Sequence, residues 1–103
     1  MPHRGEIIRI AAGEIDVIEA ERDYMRLHVG ERSYLLHQTI TELERKLDPA
    51  EFVRLHRSTI AHRARIVALK HDGAGAWAAQ LKDGRTFRIG RTYLANARAI
   101  AGR

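Results

Sequence analysis

Histidine and serine side chains are the first candidates for chemistry in this sequence. The chain holds six histidines, and two of them, His56 and His62, lie six positions apart in a segment that also contains Ser58. This spacing matches no familiar zinc arrangement, and no carboxylate cluster accompanies it. Ser58 could be activated by a neighbouring histidine, but neither Asp72 nor Asp83 stands in the context of a triad. We therefore predict no metal site, no cofactor and no enzymatic activity.

Arginine is the more informative residue type, because a guanidinium suits both phosphate binding and bidentate recognition of guanine. Seven arginines are spread over strand ends and loops in the second half of the chain: Arg54, Arg57, Arg63, Arg65, Arg85, Arg88 and Arg91. They do not form one basic helix, and no pair of helices suggests a helix-turn-helix. If this chain recognises a nucleic acid, it must do so with loops.

The distribution of charge favours such a partner. Residues 1–51 carry 7 basic and 11 acidic side chains, whereas residues 52–103 carry 11 basic and 2 acidic ones, so the halves have net charges of −4 and +9. A basic half attracts polyanions, because neutralised phosphates release condensed counterions. A solvated basic surface with no partner is the alternative.

Composition limits the other classes of protein. The chain has 103 residues and no cysteine. This length predicts one domain, 1–103, and the lack of cysteine excludes disulfides and fits a reducing compartment. The sequence has no apolar run of the roughly 20 residues that cross a bilayer, and its polar N-terminus is no signal sequence. We expect a soluble, cytoplasmic protein.

Alternating apolar and polar residues predict short β-strands at 7–10, 15–20, 24–29, 33–37, 52–55, 66–69, 77–81 and 86–89. The strands at 52–55 and 66–69 flank the segment 56–63. The breaks at 30–32 and 82–85 indicate tight hairpins, and the polar break Glu21-Arg22-Asp23 indicates a bulge or loop. The pattern is typical of an antiparallel meander.

Two helices complete the predicted fold. Ile40, Leu43 and Leu47 have helical spacing, Thr39-x-x-Glu42 is a capping box, and Asp48-Pro49 ends the helix, which spans about 40–47. A second helix is expected from 92 to 101. The fold class is therefore mostly β, with small antiparallel sheets around a compact core, one short internal helix and a C-terminal helix.

The order of these segments resembles the LytTR family of DNA-binding domains. The resemblance rests on Phe52-Val53-Arg54-Leu55-His56-Arg57-Ser58 and on Leu81-Lys82-Asp83-Gly84-Arg85 followed by Ile89-Gly90-Arg91-Thr92-Tyr93. It covers about residues 10–100. It implies a mostly β module that binds duplex DNA as the output half of bacterial response regulators, with loops that enter successive major grooves on one face of a bent duplex.

The resemblance also implies roles for single residues. The loop from Arg22 to Met25 would meet one groove, and Arg57 and Arg91 would approach bases. Ser58 would lie near backbone phosphates. Arg63 adjoins the same block but has no base-reading role in the family, so we take it as a candidate for a phosphate contact. Arg54 belongs to the block too and either contacts DNA or pairs with an acidic neighbour.

Two positions depart from the family pattern. His62 stands where the family usually has asparagine, and Gly90 stands where a serine is expected before Arg91. A histidine can donate to a phosphate and gains charge near its pKa of about 6.5, so we expect His62 to strengthen DNA binding at low pH. Gly90 has no side chain to donate a hydrogen bond.

Partners follow from the same resemblance, which suggests two copies on direct repeats of duplex DNA. The chain is either a stand-alone regulator or a fragment whose receiver or sensor domain is absent. Two other classes of protein compete with this family. A small β-barrel could bind single-stranded nucleic acid or RNA, but it would need exposed aromatic rings, and this chain has one Trp, three Tyr and two Phe. A protein-interaction domain that uses the acidic half is the other alternative.

Overall fold

The computed structural model describes residues 10–101, so most of the strand predicted at 7–10 lies outside the described residues. Within these residues, eight strands and two α-helices follow one another. They are β1 (Val17–Glu21), β2 (Tyr24–Val29), β3 (Arg32–Leu36), α1 (Ile40–Lys46), β4 (Phe52–His56), β5 (Thr59–His62), β6 (Ile66–His71), β7 (Trp77–Leu81), β8 (Thr86–Ile89) and α2 (Leu94–Ala101). The predicted fold class is confirmed.

The strands form two antiparallel sheets. The larger has the order β3-β2-β1-β5-β4, and the smaller has the order β6-β7-β8. β5 pairs with both β1 and β4, although the sequence pattern shows no strand at 59–62. All four β5 residues are buried, so this strand lacks the alternation that marks a half-exposed strand.

The larger sheet is covered on both faces. Val17 on β1 and Ala61 on β5 point to a core shared with the smaller sheet and α2. Their sequence neighbours Ile18 and Ile60 point to the opposite face and pack with Leu43 of α1 in a second core. This alternation follows from the two-residue repeat of a strand.

The short internal helix α1 begins as the sequence predicts. Thr39 Oγ1 accepts a hydrogen bond from the Glu42 backbone N–H at 3.1 Å, and Glu42 Oε1 accepts one from the Thr39 N–H at 3.0 Å. The N–H of Thr39 and then its hydroxyl hold the pKa of Glu42 below its usual value. Such a cap stabilises a helix by about 1 kcal/mol.

Strand pairing brings three connections to the same end of the molecule. Glu19 on β1 pairs with Thr59 on β5, and the Ala20 N–H donates to the Ser58 carbonyl, so the turns 22–23 and 57–58 are neighbours. The Gly90 N–H donates to the Leu55 carbonyl at 2.8 Å, which brings the segment 90–91 beside β4. We call this the loop end. The turns at 30–31 and 82–84 and the residues 63–65 lie at the opposite, far end.

Candidate nucleic-acid interface

The first turn of the loop end connects β1 to β2 through Arg22 and Asp23, because Glu21 pairs directly with Tyr24. The break that the sequence shows here is a two-residue hairpin. Arg22 has φ of +57°, a backbone conformation that costs a non-glycine residue about 1–2 kcal/mol. Its side chain is exposed at the tip of the hairpin.

Met25 does not share this surface. Its side chain is only 3% exposed and packs in the core beneath α1. Tyr24 precedes it and points to the opposite face of the sheet, since successive strand residues alternate between faces. The DNA contact expected of Met25 therefore has no exposed side chain to make it, and our proposed interface omits it.

The second turn connects β4 to β5, with Arg57 exposed at its tip and Ser58 half-buried. His56 Nδ1 accepts the Ser58 backbone N–H at 3.3 Å and lies 3.0 Å from Ser58 Oγ. Because Nδ1 accepts a hydrogen bond, the proton of the neutral ring lies on Nε2. Ser58 thus helps to hold the turn in place through its contacts with His56. The Arg57 side chain is exposed at the tip of the turn.

Arg54 lies beneath this turn rather than on the surface, with a side chain that is 10% exposed. Its Nε donates to the His56 carbonyl and one terminal nitrogen donates to the Arg57 carbonyl, each at 2.7 Å. The other terminal nitrogen pairs with Glu44 at 2.6 Å. Of the two roles suggested by sequence, the pairing with an acidic neighbour is the one that the structure shows.

The third connection begins at Gly90 and carries Arg91, which is exposed. A Cβ at Gly90 would lie 3.2 Å from Tyr93 Cδ2 and 3.4 Å from His56 Cδ2. Glycine at this position, where the family has serine, therefore leaves room for the Tyr93 and His56 rings to pack close to the Gly90 backbone. The guanidinium of Arg54 lies 5.3 Å from the Tyr93 ring centroid, so Arg54 contacts the Arg57 turn and the Arg91 segment together.

His62 and Arg63 lie away from these three connections, at the far end. The Arg63 guanidinium reaches the Pro49 carbonyl at 3.4 Å. His62 is 8% exposed and packs edge-on against Phe52, and its Nδ1 accepts the Ala64 backbone N–H at 3.2 Å. A phosphate contact needs an accessible ring, so the structure argues against the interface role that the sequence suggests for His62.

His62→Asn is expected to change the pH dependence of stability rather than that of DNA binding. Burial, aided by Arg65, holds the pKa of His62 below its ordinary value, against the opposing charges of Glu51 and Asp16. The unfolded chain therefore binds this proton first, and stability falls as pH drops through about 6.5. Asparagine can accept the same N–H as a cap without titrating. Urea unfolding from pH 5 to 8 should show a flatter profile for His62→Asn; parallel profiles would contradict this role.

Ion pairs neutralise some of the arginines of the basic half. Arg65 pairs with Asp16 at 2.7 Å, and Arg85 pairs with Asp83 at 2.6 Å and approaches Asp16 at 3.7 Å. Both of these arginines lie at the far end. Four exposed arginines at the loop end have no ion pair within residues 10–101, and they are Arg22, Arg57, Arg88 and Arg91. Unpaired arginines thus lie together on neighbouring connections of the loop end, although Arg32 and Arg63 at the far end also have no ion pair in this part of the chain.

Two further features bear on function. Within residues 10–101, no group of three or more His, Asp or Glu side chains is placed to hold a metal ion. In the same residues, no helix has the length and apolar character needed to cross a membrane. From the sequence, Arg88 stood out only as one of seven arginines at strand ends and loops. Neither Arg88 nor Tyr93 was given a role in the site.

Known proteins similar to this chain include DNA-binding domains and regulators of transcription. The profile of the LytTr DNA-binding domain matches residues 5–102. The chain is 32% identical to the CO-responsive transcriptional regulator RcoM of Rhodospirillum rubrum over 84 residues, which are 81% of this chain and 36% of that protein. It is also 32% identical to an uncharacterised response regulatory protein of Vibrio cholerae over 74 residues, 68% of this chain and 28% of that protein.

A solved LytTr DNA-binding domain from Bacillus cereus has the same fold. It matches with a TM-score of 0.85, covering 98% of this chain and 93% of that chain at 20% identity. The chain spans only about a third of the length of the two curated relatives, 36% and 28%.

Proposed function

The chain belongs to the LytTr DNA-binding domain family, and from this premise we propose that it binds specific sites in duplex DNA with the connections of its loop end. The observation that carries the proposal is the row of unpaired arginines at one end of the fold. Arg22 is at one side of the row, Arg57 in the middle and Arg91 at the other side, while Arg65 and Arg85 of the far end pair with Asp16 and Asp83.

The spacing of this row suits contacts along one face of a duplex. The midpoints of the first two hairpins are two strand spacings apart, or about 10 Å. Long arginine side chains can extend from such a row toward base edges along one face of a bent duplex. In our proposal the Arg22 turn enters one major groove, and Arg57 and Arg91 approach bases farther along.

The aromatic residues argue against the alternative of single-strand binding. Phe52 is buried, and Trp77 and Phe87 pack against the core that the two sheets share. Tyr93 lies beneath the Arg54 guanidinium. Of the aromatic residues in the described part of the chain, Tyr24 is the exposed one, at 37%. One exposed ring does not make a stacking platform.

We expect the protein to prefer duplex over single-stranded DNA of the same sequence in a direct competition. Affinity for any duplex should fall steeply with salt, because several arginines displace counterions. Selection from a random pool of duplexes would provide the site, and binding isotherms over a salt series would give the slope. Equal affinity for both forms, or a slope near zero, would overturn the proposed function.

The chain covers a minor part of its curated relatives. We propose that it acts as a regulatory output domain in the cytoplasm, either alone or under the control of a receiver or sensor. Two copies would occupy direct repeats about one helical turn apart, roughly 10 base pairs. The family is a DNA-binding one and not a family of enzymes.

A further inference from the structure

A groove at the loop end lies between the connection from β6 to β7 and the end of β8. Its walls include His56, Gly75, Ala76, Arg88 and Arg91. Its volume is about 340 Å³. A water molecule occupies about 30 Å³, so the groove has room for a phosphate group and several waters.

The chemistry of the walls is that of an anion site. Arg88 and Arg91 are both exposed and have no ion pair within the described part of the chain. Because His56 Nδ1 accepts the Ser58 N–H, the Nε2–H of the same ring is the donor left for a ligand. These groups have different origins: β4 supplies the histidine, and β8 and the connection after it supply the two arginines.

The acidic residue of the connection from β6 to β7 is Asp72, and its hydrogen bonds are made within its own loop. Asp72 Oδ1 accepts the backbone N–H groups of Ala74 at 2.7 Å and Ala76 at 3.1 Å, so the carboxylate is engaged within its own loop. Gly73 and Gly75 have φ of +84° and +102°, conformations that allow the loop to fold around Asp72. The N–H groups of Ala74 and Ala76, with the charges of His71 and Arg88, hold the pKa of Asp72 below its usual value, so the carboxylate stays charged. It nevertheless forms no ion pair with Arg88 among the described residues, and the Arg88 guanidinium is left for a ligand.

We infer that this groove binds a phosphate of the DNA backbone, with Arg88 and His56 Nε2 as donors, beside the base contact of Arg91. The inference rests on the proposed function. A side chain that reads a base edge always lies near backbone phosphates, and phosphate contacts fix the register of the protein on the duplex. The groove adjoins both Arg57 and Arg91 along the chain, so a duplex read by these residues brings its backbone to the groove.

The test compares Arg88→Gln with Arg32→Gln on the selected duplex and on a random duplex. Both variants lose one exposed arginine with no ion pair among the described residues, but Arg32 lies at the far end. Arg88→Gln should weaken binding to both duplexes by the same factor and reduce the salt slope by about one. Arg32→Gln should keep the wild-type slope.

A second measurement locates the phosphate. A set of duplexes is made in which a single neutral methylphosphonate replaces each backbone phosphate in turn. At the position that Arg88 contacts, this replacement should weaken binding by the wild-type protein but should not weaken binding by Arg88→Gln any further. Wild-type affinity and slope in Arg88→Gln, or the same set of sensitive positions in both proteins, would overturn this inference while leaving the proposed function intact. Failure of the wild-type protein to bind any duplex would overturn both.

Discussion

Replacement of Arg57 or Arg91 by alanine is expected to weaken binding to the selected duplex by about 1–3 kcal/mol, the value of a good contact between arginine and a base. Binding to random duplexes should weaken much less, because the lost contact reads sequence rather than charge alone. Each variant should also relax the preference at one or two base positions. Binding isotherms on the selected site and on single-base variants of it would measure both effects.

Arg63→Ala is the matched control for these two variants. Arg63 stands close to the same block in sequence, but the fold carries its guanidinium to the Pro49 carbonyl at the far end. It should therefore retain affinity and base preference. Circular dichroism must show all three variants folded, because an arginine stem also contributes packing. If Arg57→Ala and Arg91→Ala lowered specific and random affinity equally, the assignment of base reading to these residues would be wrong.

Arg54→Ala should have the second large effect, although Arg54 touches no DNA in our proposal. The substitution removes the donors to the His56 and Arg57 carbonyls and the contact with the Tyr93 ring. We expect a loss of about 1–3 kcal/mol in the free energy of unfolding, as for carbonyls left without donors. Base preference should relax at the positions read by both Arg57 and Arg91, because both segments rest on this side chain.

A positioning role for Arg54 predicts a result that a purely structural role does not. In the Arg57→Ala background, Arg54→Ala should cost less specific affinity than in the wild type, because residues of one network are not additive. Glu44→Gln is the control: it weakens an ion pair whose acidic partner is half exposed, which is worth about 0–1 kcal/mol, and keeps both carbonyl contacts. Folded Arg54→Ala with unchanged base preference would refute the positioning role.

Much of the fold could be predicted from local patterns. The capping box at Thr39 and Glu42, the hairpin breaks and the alternation of the strands each depend on residues a few positions apart, and the structure contains the elements they predict. β5 escaped detection because a strand buried on both faces has no alternation. The family blocks around Arg57 and Arg91 likewise stand out in the sequence, and the family is confirmed.

The sequence by itself thus determined the fold class and the family, and it made Arg57 and Arg91 candidates for base contact. Only the tertiary structure decided which arginines are free: Arg65 is neutralised by Asp16, a residue 49 positions away, whereas Arg88 is not paired within the described residues. The fold also placed Met25 and His62 in the interior and Arg54 beneath the turn that presents Arg57. The physical reason is that secondary structure follows short periodicities, while burial and ion pairing depend on contacts between distant segments that no local pattern contains.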